Sequence, residues 1–206
     1  MNGPASLIEE QASEPQPPRQ LIEFLIAHDA SSLAHSDATL LQHLIGTWRL
    51  LAGWGMDVAC CNAGLFHSVY GTEVFRQTAI ALDERNAVAR TIGPEAEYLP
   101  YVFGMMESAS FFDAWPDGQE RIELRNRLDA SALAIDTAQY AALAHILLAN
   151  FIEQMAIYSP ALRQAMIERF LRVAPHLNAA AQEALATSAQ SAGVGLDVRV
   201  GVAALG

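Results

Sequence analysis

At 206 residues the chain suits one domain with tails, since compact domains run to roughly 100–200 residues. A composition of 52% hydrophobic and 17% charged residues supplies a sizeable core, which excludes a wholly disordered protein and a small disulfide-stapled scaffold. Twelve basic against 23 acidic residues leave a net charge of −11, which argues against nucleic acid as a partner because phosphates call for a basic surface.

Residues 1–19 read as a flexible lead-in, with Glu14-Pro15-Gln16-Pro17-Pro18 its densest stretch. They have neither the basic start nor the long apolar core of a signal peptide, and no uninterrupted apolar run reaches the ~18 residues of a membrane span. The expectation is a cytoplasmic protein with no membrane partner. A short helix is predicted from Leu21 to Ala27. The next is expected to start at a cap on Ser36 or Asp37 and to run to about Gly53, with Leu40, Leu41, Leu44, Trp48 and Leu51 at helical spacing. Gly53 and Gly55 end it around Trp54.

Asp57 is the predicted cap of a third helix, Val58 to about Val69, apolar on nearly every side and so suited to the middle of a bundle. It contains the adjacent Cys60 and Cys61, which form no CxxC motif and read as small core residues. Helices are expected over about Thr78–Ile92 and Pro94–Ala109, divided at Gly93-Pro94. Residues 113–136 look different. Pro116-Asp117-Gly118 is turn chemistry, and Arg121-Ile122-Glu123-Leu124-Arg125 alternates, so a small β-hairpin or extended excursion is predicted near 119–135. Asp136 caps a long helix to about Tyr158, Pro160 opens another to Val173, and the Ala-rich 176–190 forms a last one. The fold class is mostly α: a helical domain over 20–192, with a C-terminal tail over 193–206.

All the basic residues are arginine, so a Schiff-base lysine, a Walker lysine and a Ser–Lys dyad are excluded. Six histidines remain as chemistry-bearing candidates. His43 and His67 stand out because each lies in an apolar helix, where an imidazole must find a partner or a metal. Gly46, Thr47, Ala63, Gly64, Ser68, Gly71 and Thr72 around them are small, which is expected to leave room for a ligand. Trp48 reads as core, whereas Trp54 either staples its turn or covers a pocket mouth. Glu95 and Glu97 read as the acidic first turn of a helix.

The segment HLIGTWRLLAGWGMDVACCNAGLFHSVYGT, His43 to Thr72, resembles an uncharacterised bacterial domain family with an HL-GT, WG and AGLFHS-YGT pattern. That family is in turn distantly similar to HD-domain proteins of the alarmone-hydrolase type, and Ile92-Gly93-Pro94-Glu95 resembles a further segment of those enzymes. The resemblance implies an HD-like helical bundle in which His43 and His67 take the places of the two metal-binding histidines. Ser68 then stands where the dyad aspartate is expected, and Tyr70 and Gly71 where an acidic pair is expected. Asn150 is the counterpart of the closing aspartate, with His145 and Glu153 as alternatives.

Losing those carboxylates disfavours a hard dication. Three routes to chemistry stay open. His35 joins His43, His67 and Asn150 around a transition-metal ion such as Zn, Fe or Mn; Glu153 or Glu73 supplies a carboxylate; or the site works without metal, with His67 as general base and Ser68 and Tyr70 positioning a substrate. Thr47, Thr72, Trp54 and Glu153 are the candidate substrate contacts. The expected ligand is a small polar metabolite, the alternative function is a non-catalytic metabolite- or partner-binding regulator, and a homo-oligomer is compatible with the sequence.

Overall fold

Side chains at helix starts decide where the chain turns. The computed structural model describes residues 14–35, 38–114, 116 and 118–194. Most of the expected lead-in and tail, and the caps suggested at Ser36 and Asp37, lie outside the described residues. Helix α1 spans Arg19–Ala27. Strands β1 (Ala34–His35) and β2 (Ala38–Thr39) pair antiparallel and lead into α2, Leu40–Gly53. The cap of α2 is Thr39: its hydroxyl accepts from the Gln42 backbone N–H, and the Gln42 side chain reaches back to the Thr39 N–H. Asp57 caps α3, Val58–Leu65, by accepting from the Cys60 N–H at 2.7 Å.

The helix α3 is shorter than its apolar pattern predicts, and residues 66–70 form turns instead. The side chain of His67 explains part of this, because its Nδ1 lies 2.7 Å from the Gly64 carbonyl, which also accepts from the His67 backbone N–H and so closes the helix end. The predicted helix from Thr78 also starts late. The Ala79 and Ile80 N–H groups donate to the Val69 carbonyl, which holds that stretch extended until a 3₁₀ turn at Leu82–Glu84 leads into α4, Arg85–Ile92.

Gly93, at φ +92°, separates α4 from α5, Pro94–Met105, and α6 follows at Ser108–Asp113. Strands β3 (Ile122–Arg125) and β4 (Ala132–Ile135) form the predicted hairpin. Its register pairs Ile122 with Ile135 and Leu124 with Leu133 on the buried face, while Glu123 and Arg125 face out. Asp136 caps α7, Thr137–Gln154, with Gln139 completing a capping box. A 3₁₀ turn at Met155–Ile157, α8 at Pro160–Val173, a second 3₁₀ turn at Ala174–His176 and α9 at Ala179–Ser191 complete the described chain. The domain is mostly α, with two short antiparallel hairpins among the described residues.

Helix α2 packs against both α3 and α7, and α7 also touches α3, α5 and α9. Leu143, Ala144, Ile146, Leu148 and Ala149 make α7 the buried centre, each large side chain contributing about 1.5–3 kcal/mol of burial. Two of the small residues expected to leave space for a ligand instead let helices touch. A Cβ on Gly64 would lie 2.1 Å from Leu51 Cδ1, and one on Gly46 would lie 2.8 Å from Glu153 Cγ. The close approach of α2 to α7 at Gly46 brings the Glu153 side chain beside α2.

Candidate functional site

Three segments meet at one point: the first turn of α2, the turn after α3 and the last turns of α7. His43, from α2, and His67, after α3, are 2% and 0% exposed, and their Nε2 atoms lie 3.0 Å apart. The ring planes stand at 75° to each other. Asn150, from α7, places Oδ1 3.1 Å from His67 Nε2. One turn further along α7, the Glu153 carboxylate takes His43 Nδ1 in a short hydrogen bond. Gln154 Nε2 sits 3.1 Å from both ring nitrogens of His43. Equidistant from the two, it lies against the ring face and off the line of either lone pair. The Tyr158 hydroxyl holds this amide by donating to Gln154 Oε1 at 3.0 Å.

These contacts assign the protons. The Gly64 carbonyl only accepts, so His67 carries its proton on Nδ1. A Glu153 carboxylate likewise only accepts, so His43 is protonated on Nδ1. In the neutral rings each Nε2 is then the lone-pair nitrogen, and the two face each other at hydrogen-bond distance with the Asn150 oxygen beside them. A proton on one Nε2, or another positive species between the two, satisfies both nitrogens, and the Gln154 amide donates to Asn150 Oδ1 at 3.5 Å. The 3.0 Å separation is a hydrogen-bond distance, whereas donors about 2.1 Å from a tetrahedral ion sit about 3.4 Å apart. Each Nδ1–H held by a carboxylate or a backbone carbonyl is also the usual way of orienting a metal-binding imidazole. Among the described residues no group of three His, Cys, Asp or Glu side chains is placed to hold a metal ion.

Beside this cluster lies a cavity of about 370 Å³. Ser68, Asn150 and Gln154 line its polar end, and Phe103, whose ring edge packs on His67 at 4.8 Å between centroids, forms part of its wall. Most of the rest is apolar, from Leu147 and Phe151 on α7 and Met166 and Phe170 on α8. The Ser68 residue is 2% exposed, and its Oγ has no hydrogen-bond partner. Neither has the Oγ1 of the wholly buried Thr47, one turn after His43.

The structure brings some nominated residues together and separates others. His43, His67, Asn150 and Glu153 are in contact, and Ser68 and Thr72 line the cavity. Thr72 is also committed locally, its hydroxyl accepting from the Phe75 N–H. Thr47 is beside His43 in sequence but does not line the cavity. Tyr70 turns away: its hydroxyl donates to Glu97 Oε1 at 2.8 Å, and the same carboxylate takes two bonds from Arg85. Burial first, and then that contact with Glu97, hold the Tyr70 phenol well above its usual range, which leaves it a poor proton donor to any substrate. Trp54 is also elsewhere, because a position at the far end of α2 lies about 16 Å along the helix from His43. Its carbonyl accepts from Asn178 Nδ2.

Glu97, read from sequence as one of two first-turn acids, is 4% exposed and anchors an ion pair; only its partners, unreadable from spacing, reveal that. His145 is satisfied on both nitrogens, donating to the Ala141 carbonyl and accepting from the Asn178 N–H. His35 lies in β1, and its ring as a ligand lies outside the described residues. Glu73, the other carboxylate considered, accepts from the Ser108 N–H. Gln154 was not foreseen, although its place one turn after Asn150 on the same helix face was a usable signal.

With the geometry in place, comparison with known proteins adds one finding. Residues 24–108 match a domain of unknown function, DUF6817. The DUF6817 segment carries His43, His67 and Ser68 but ends before Asn150, Glu153 and Gln154. No curated protein and no solved structure is significantly similar to the chain.

Proposed function

We propose that the protein is a diverged HD-like protein in which His43, His67 and Asn150 hold one transition-metal ion beside a cavity that takes a small molecule. The observation that carries this reading is the pair of facing Nε2 atoms, each with its Nδ1–H already donated. When bound, such an ion supplies Lewis-acid polarisation of a ligand oxygen. The chain's own groups do the rest. Glu153 and the Gly64 carbonyl fix the two imidazoles, Tyr158 fixes Gln154, and the apolar wall excludes water from the ligand. Two neutral imidazoles and an amide suit Zn or Fe better than Mn or Mg, harder ions that favour carboxylates and water.

The resemblance to alarmone hydrolases does not extend to their reaction under this reading. Ser68, Tyr70 and Gly71 leave the site without the carboxylates that would anchor a hard dication. Phosphate release from guanosine tetraphosphate with manganese is therefore expected to stay at background, and to appear, if at all, only in Ser68→Asp. One observation favours the alternative of a non-catalytic binding module: the imidazoles are almost fully covered, so a ligand in the cavity meets Ser68, Asn150 and Gln154 first.

Elemental analysis after loading with Zn²⁺, Fe²⁺ or Mn²⁺ tests the metal reading. About one ion per chain is expected in the parent and in Tyr70→Phe, with loss in His43→Ala and in His67→Ala. Folded parent protein that holds no ion above buffer background would overturn it.

A further inference from the structure

The cavity has two chemically different ends, and together they describe its occupant. At the inner end Ser68 Oγ is buried and without a partner, beside the Asn150 and Gln154 amides. A buried hydroxyl left so costs about 1–3 kcal/mol, and a ligand atom able to accept from it or donate to it removes that cost. No cationic side chain lines this end. The cation of the lining, Arg169, is exposed and on α8, with its guanidinium 5.8 Å over the Phe112 ring. Glu73, also in the lining and exposed, offsets its charge. An anionic head pushed to the inner end would lose its hydration with no countercharge, a cost of several kcal/mol. The chain's net charge of −11 adds to that penalty. The walls between the two ends are aromatic and aliphatic, and 370 Å³ is at the small end of ligand cavities, which run from about 300 to 1,000 Å³.

We infer that the cavity binds a small amphipathic molecule with an uncharged oxygen head, a hydroxyl or a carbonyl, at Ser68, and an aromatic or aliphatic body against Phe103, Leu147, Phe151 and Phe170. This replaces the polar metabolite expected from the sequence with a mostly apolar one. It rests on the reading of this cavity as the ligand site, but it needs no metal ion.

The test uses the full chain treated with chelator, titrated by calorimetry with three probes that share one body: 3-phenylpropan-1-ol, 3-phenylpropanoate and propylbenzene. The alcohol is expected to bind at least tenfold more tightly than the carboxylate. Ser68→Ala is expected to weaken the alcohol about threefold to tenfold and to leave propylbenzene unchanged. Leu147→Trp fills the cavity and is expected to abolish binding of all three. Met166→Trp, at a half-buried position nearer solvent, serves the same purpose should the first variant fail to fold. Equal binding of alcohol and carboxylate, no change in Ser68→Ala, or absence of binding to folded parent protein would each overturn the inference. Because the titrations are run without metal, alcohol binding by a protein that holds no ion removes the metal reading alone; an ion held in a cavity that binds no alcohol removes this inference alone.

Discussion

Two polar clusters are buried side by side on the segment that follows α3. One is built on Tyr70: a Glu97 carboxylate takes the phenol and both arms of Arg85, and the guanidinium stacks 3.4 Å from the centre of the Tyr101 ring. Charge meets charge, and the carboxylate receives three donors. The other is built on His67, whose Nε2 meets His43 Nε2 and Asn150 Oδ1 at hydrogen-bond distance, while the neighbouring Ser68 hydroxyl has no partner. The first cluster is complete within the chain, and its chemistry is structural. The second leaves one buried hydroxyl, that of Ser68, unmatched, a feature more common at binding sites than in cores.

Cutting the complete cluster should have the largest effect. Glu97→Ala strands a partly buried Arg85 and the Tyr70 hydroxyl, and is expected to cost about 3 kcal/mol in denaturant unfolding. Metal and alcohol binding by the remaining folded protein should be unchanged. If binding falls while folding holds, the two clusters are coupled and the contrast fails. Next comes the packing that brings the second cluster together. Gly64→Ala is expected to lose about 1–3 kcal/mol, because the new Cβ meets Leu51 and the gain in helix propensity is smaller than that overpacking.

Ser68→Ala sharpens the contrast in the opposite direction. Removing a buried hydroxyl that has no partner should raise stability by about 1 kcal/mol in a thermal melt, while alcohol binding weakens. A drop in stability instead would mean that the hydroxyl is already satisfied. The smallest effect concerns His145, a third buried imidazole but a satisfied one. Burial lowers its pKa below the ordinary 6.5, so the unfolded chain takes up the proton more readily than the folded one. Its contribution is therefore present above pH 6.5 and is lost as pH falls below that value. Unfolding midpoints at about pH 7.5 and about pH 5.5 should diverge less in His145→Leu than in the parent.

Much of the scaffold was legible because it is written in local chemistry. Asp57, Asp136 and Pro160 mark helix starts, and the alternation around Ile122 and Leu124 marks a strand. Where expectation failed, a distant or competing bond had won. The Val69 carbonyl held Ala79 and Ile80 out of a helix, and His67 helped close α3 early. At the site, the meeting of His43, His67 and Asn150 could be expected from the resemblance. The partner of Tyr70 could not, since Glu97 looks like any acid in a first turn. The apolar character of the cavity was hidden for a similar reason: part of its wall, Leu162, Met166 and Phe170, comes from α8, whose packing against α7 no spacing reveals.

The hydrogen bond between His43 and Glu153 joins positions 110 residues apart, and that separation governs when the site can exist. Contacts so far apart carry a loop-closure entropy that local helix contacts do not, so they tend to form later. During folding or synthesis, then, the paired imidazoles gain their orienting carboxylate only when α7 docks. If the site takes an ion as proposed, uptake would report the docking of α7, and a chain stopped before α7 would be silent however well its first helices had formed.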